Sequence, residues 1–152
     1  MEINGLPLHP LAVHGAVVLV PLVALLALAY LLPKWHDQLR WPLLVGALVA
    51  VGSVVVAYLS GDSFREANEF FNTAGPIADK IDTHEERAEL LLWTSISFGV
   101  MALLNAVLHP KEGWLRWVLG ALLAIDAVAV LVLVIMTGDA GAQAVWGEGF
   151  KG

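Results

Sequence analysis

Residues 114–137 read WLRWVLGALLAIDAVAVLVLVIMT, in which Arg116 and Asp126 are the only charged side chains. As a helix rising about 1.5 Å per residue, this run is long enough to cross a hydrocarbon core roughly 30 Å thick. Three further runs have the same character: 8–32, 39–60, and 88–108, the last preceded by an amphipathic stretch from Ile77. The reading is all-α: one transmembrane domain over residues 1–152, built as a four-helix bundle with helices at about 8–32, 39–60, 77–108 and 114–137. Composition agrees, since 59% of the 152 residues are hydrophobic and 14% charged, with a mean hydropathy of +0.76, outside the range of an ordinary soluble domain. The first run is too long for a signal-peptide core and follows Glu2 rather than a basic residue, so it is expected to stay as a helix.

Charge sets the expected orientation, because short basic loops stay cytoplasmic. The two short connections carry Lys34, Arg40, Lys111 and Arg116 against Asp37 and Glu112, a net +2. The opposite side carries a net −7, and with Asp126 the chain totals −6. Both termini are therefore expected outside a bacterial plasma membrane. An acidic exterior argues against a nucleic-acid partner. The absence of cysteine excludes disulfides, thiolate metal sites and c-type haem attachment. Tryptophans 35, 41, 114 and 117 mark one interface, and Tyr58, Phe64, Trp93 and Trp146 the other. Small residues such as Gly46, Ala50, Gly120 and Ala127 would let helices approach closely.

The chain reads as two helix pairs. The second run ends Ser60-Gly61-Asp62 and the fourth Thr137-Gly138-Asp139, while Pro33 and His109-Pro110 follow the first and third. A duplication would place His9 and His84 at similar heights on opposite sides of a pseudo-twofold axis. The alternative is that glycine simply ends each helix. In the one sizeable loop, Phe64, Ala67, Asn68 and Phe71 have helical spacing and suggest a short interfacial helix, which Gly75-Pro76 breaks.

Histidines supply the candidate chemistry. His9, His14 and His84 gather at one end of the bundle; His36 and His109 read as ordinary loop residues. On a regular helix His9 and His14 point about 140° apart, so one ion would need ligation across helices, from His9 or His14 to His84. Two axial imidazoles on opposite helices, about 4 Å apart through iron, suit a b-type haem. Zinc or copper needs three or four ligands, for which Asp62, Glu85 or Asp139 could join the histidines. The alternative is that a histidine there caps a helix, donates to a carbonyl or bridges to an acid. Asp126 lies mid-bilayer with Ser53 and Ser97 at its depth. It is either a step in an ion path or interhelical glue bonded to a serine. Hydrolase and nucleotide motifs are absent, which favours an electron-transfer or binding protein over a hydrolase or transferase.

The segment NGLPLHPLAVHGAVVL at 4–19, with His9, Pro10 and His14, resembles the opening of the domain of unknown function 2231 family, small bacterial four-helix membrane proteins. The resemblance extends over nearly the whole chain through four helices, His84 near the third, and glycine-ended second and fourth helices. It departs at Gly15 and Ala16, where such sequences often carry an aromatic and a proline. It implies a membrane protein sometimes suspected of binding haem or metal. The expectations are thus haem b or a metal in electron transfer or metal handling. The alternatives are an accessory subunit of a larger respiratory or transport complex, a homo-oligomer, or a small proton- or ion-coupled transporter using Asp126.

Overall fold

The computed structural model describes residues 2–3, 6–67 and 75–146. Four helices carry the chain: α1 (Leu8–Tyr30), α2 (Arg40–Glu66), α3 (Pro76–Leu108) and α4 (Gly113–Trp146). Before α1, the two-residue strands β1 (Glu2–Ile3) and β2 (Leu6–Pro7) pair antiparallel. Each helix contains a stretch long and apolar enough to span a membrane, and the protein is a multi-pass helical membrane bundle.

Its packing follows from lipid being as apolar as leucine, so that helix contact is gained through closeness rather than oiliness. The interior is accordingly rich in alanine, with Ala24, Ala27, Ala47, Ala102 and Ala127 fully buried beside larger side chains such as Tyr30, Leu43 and Leu123. Large aliphatics such as Leu22, Leu48, Ile125 and Ile135 face outward. Helix α1 packs on α2 and α4, and α3 on α4 and α2.

The two hairpins repeat one another. In α1, the buried residues Ala16, Val20, Val23, Ala27 and Tyr30 correspond, 75 positions on, to the buried Leu91, Ser95, Phe98, Ala102 and Asn105 of α3. In α2, the buried Leu43, Ala47, Ala50, Val54 and Ser60 correspond, 80 positions on, to Leu123, Ala127, Val130, Val134 and Ala140 of α4. The same faces are therefore used twice, about a pseudo-twofold axis running along the bundle. The register differs from the one the glycine triplets suggest: those stand 77 apart, whereas Ala57 matches Thr137 and Gly61 matches Gly141.

Glycine does not end α2 or α4. Helix α2 continues through Gly61 to Glu66, and α4 through Gly138 to Trp146. Phe64 accordingly belongs to α2 rather than to a separate interfacial helix, and Asn68 and Phe71 lie outside the described residues. The break at Gly75-Pro76 is present: Gly75 has φ 148° and Pro76 opens α3, where its missing N–H and fixed φ suit the first turn. At the other end of the bundle, His109 closes α3 in the left-handed region (φ 41°), its N–H donating to Asn105 O at 3.0 Å. That conformation is uncommon without glycine.

A paired histidine site at the long-loop end

His9 enters in the first turn of α1, and Pro10 beside it is compatible with that position. Its Nδ1 lies 2.9 Å from Ala57 O of α2 and 3.4 Å from Ser60 Oγ. His84, on the part of α3 leading into the membrane, places Nδ1 2.9 Å from Thr137 O of α4. Ala57 and Thr137 are the symmetry-matched positions, so the two imidazoles make the same contact in the two halves. A carbonyl oxygen only accepts, so each Nδ1 carries the proton and donates; in the neutral ring the lone pair then falls on Nε2. Neither Nε2 has a partner among the described residues.

The rings meet at the axis with centroids 6.4 Å apart and planes at 77°. Phe64 stacks on His9 at 5.8 Å. Glycine makes both approaches possible. A Cβ at Gly61 would lie 3.2 Å from His9 Cε1, and one at Gly141 would lie 3.0 Å from His84 Cε1. These two glycines serve as seats for the rings inside continuous helices.

The other candidates lie apart from this pair. His14 is exposed and turns Nδ1 back to Pro10 O at 2.5 Å, as a five-residue offset from His9 dictates. Asp62 and Asp139 are exposed, Asp139 accepting from Gln143 Nε2 at 2.7 Å. Glu85 is engaged by Arg65, which also reaches Asp82 at 2.9 Å. Among the described residues no group of three or more His, Cys, Asp or Glu is placed to hold one metal ion. Ser97 Oγ donates to Asp126 Oδ2 at 2.8 Å, whereas Ser53 Oγ donates within its own helix to Ala50 O.

The short-loop end holds a second polar cluster, and here His36 and His109 are more than loop residues. His36 is buried and stacks on His109 at 4.5 Å, while Tyr30 OH donates to Asn105 O at 2.9 Å. His109 Nε2 meets Asp37 at 2.7 Å, and Lys111 reaches the same carboxylate. Hydrogen bonds from His109 and Lys111 hold Asp37 below the usual carboxylate range. Burial lowers His36, against the opposing bond of its Nδ1 with Tyr30 O. Beside the cluster is a cavity of about 400 Å³ lined by Leu31, His36, Asn105, Arg116 and Trp117 among others. The sequence signal for this cluster was slight: Asn105 one turn before His109, and a tyrosine closing α1.

A family model described as a predicted membrane protein (DUF2231) matches residues 5–151. Comparison with curated proteins and with solved structures gives no match.

Proposed function

We propose that this chain, which belongs to that DUF2231 family of predicted membrane proteins, holds a b-type haem between His9 and His84 and serves one-electron transfer at one membrane face. The observation that carries the reading is the matched pair of imidazoles, each with Nδ1 fixed by a backbone carbonyl and Nε2 without a partner among the described residues. Fixing one ring nitrogen selects the tautomer and orientation of the other, which is how protein-bound histidines are prepared as ligands.

The residues fit an axial pair better than a lone metal ion. His9 and His84 would hold the haem between α1 and α3, their ring centroids 6.4 Å apart and their planes at 77°. Among the described residues zinc or copper would find these two nitrogens and no third ligand grouped with them, Glu85 being committed to Arg65. A bound haem would supply the one-electron chemistry. The chain would supply the rest: opposed ligands on α1 and α3, carbonyls that raise ligand basicity, and Phe64 against one ring.

The test is an absorption spectrum of the protein purified in mild detergent after expression with ample haem, oxidised and then dithionite-reduced. The expected result is a sharpened Soret and α band on reduction, lost in His9→Ala and in His84→Ala and kept in His14→Ala. A featureless wild-type spectrum would overturn the reading and favour an accessory subunit. A transport role draws no support from Asp126, whose serine partner is exposed on the flank of α3.

A further inference from the structure

Asp126 and Ser97 form a polar pair at mid-membrane depth on the outside of the bundle. Asp126 lies 12 residues into the run that starts at Trp114, and Ser97 lies 11 before Leu108, each about 17 Å from the short-loop end at helical rise. Ser97 is exposed and Asp126 half-buried, and around them Trp93, Val100, Leu122 and Ile125 face outward. The serine hydroxyl satisfies Asp126 Oδ2, leaving Oδ1 without a partner among the described residues. A carboxyl group against hydrocarbon is costly and calls for polar cover.

The repeat provides an internal control on whether the fold itself requires this pair. The positions matching Asp126 and Ser97 in the first hairpin are Gly46, 80 before, and Leu22, 75 before. There, α1 and α2 pack with Val23 against Gly46 and no polar contact. The same helix pairing therefore forms without an acid, and the pair is surplus to the bundle's own packing.

We infer that the α3–α4 face around Asp126 and Ser97 is a self-association surface that a second copy of this chain covers, about a twofold axis along the membrane normal. Any partner must bring a polar group to the same depth. A second copy in the same orientation does so necessarily, because rotation about the normal preserves depth. The Ser97 hydroxyl donates and Asp126 accepts, so the patch carries both halves of a hydrogen bond and is complementary to its own image, as an isologous contact requires.

Because the chain has no cysteine, single-cysteine variants of the full-length protein test this in lipid vesicles at high lipid-to-protein ratio. Ile125→Cys sits beside Asp126, and Val45→Cys is its symmetry-matched control on the other hairpin; the native side chains are 63% and 61% exposed. Oxidation is expected to link Ile125→Cys into a covalent dimer about tenfold more than Val45→Cys. Adding Asp126→Val should remove that excess, while Asp126→Asn, which still offers an oxygen acceptor, should keep it, in line with the strength of interhelical hydrogen bonds. Circular dichroism checks that each variant keeps its helices. Equal linking at both positions, no linking at either, an excess that survives Asp126→Val, or attachment of Ile125→Cys only to a different membrane protein would each overturn the inference.

Discussion

At the scale of single residues, the chemistry of the long-loop end depends on which atom of each imidazole is tied. The Nδ1 contacts of His9 and His84 are both 2.9 Å to carbonyl oxygens, so what remains to be presented is Nε2. The seating glycines should be correspondingly intolerant. Gly141→Ala would push a methyl to 3.0 Å from His84 Cε1 and 3.1 Å from Nδ1, displacing the ring from Thr137 O. The expected cost is about 1–3 kcal/mol of stability from overpacking, with Gly61→Ala milder because its closest approach is 3.2 Å. Gly138→Ala, which meets nothing within 4 Å, should be neutral or stabilising by up to about 1 kcal/mol, since alanine suits a helix interior better. Thermal melts in detergent would rank the three, and equal melting points would show that the rings tolerate the extra methyl. The histidines themselves were legible in the sequence; their glycine partners were not, because a glycine that admits a neighbour and one that ends a helix look alike until the chain is packed.

At the scale of elements, composition marked where each helix crosses the membrane but not where it stops. The extensions of α2 to Glu66 and α4 to Trp146 run past the apolar segments into polar sequence, where α3 lies alongside: Arg65 reaches Asp82, and Lys80 Nζ reaches Gln143 O at 3.4 Å. Cross-helix contacts of that kind have no local sequence pattern. At the short-loop end, the connections 31–39 and 109–112 are held together by His36, His109 and Asp37. Burial favours neutral His36 in the folded state, lowering it from 6.5, so the unfolded chain binds the proton more readily. Stability contributed by this group is therefore whole above about pH 6.5 and falls as the pH drops from there toward the lowered folded value. Asp37 acts in a lower window, its contribution present above the ordinary carboxylate value and lost as pH falls through the depressed one. Melting temperature should decline between pH 7.5 and 5.5, and His36→Phe, which keeps a ring to stack on His109, should flatten that decline. An unchanged slope in the variant would place the pH response elsewhere.

At the scale of the whole molecule, one hairpin plan is used twice, and what distinguishes the halves is informative. The repeat brings two histidines to the axis and leaves one unmatched acid on the flank. Charge bias sets the expected orientation of the assembly, with the short loops cytoplasmic and the paired histidines outside. In sealed right-side-out vesicles, a membrane-impermeant thiol reagent should reach Asp139→Cys and not Gln38→Cys until the vesicles are opened; both native residues are exposed, so the reverse pattern would invert the topology. Sequence alone determined the helical class, the four crossings and the gathering of histidines at one end, because hydropathy and length are local quantities that lipid reads segment by segment. Tertiary structure decided that His14 turns away, that Gly61 and Gly141 seat the rings, that His36 is buried and that Asp126 faces outward. Each of these depends on the rotation of one helix against another, which is set by close packing of small faces from opposite ends of the chain and is written in no single segment.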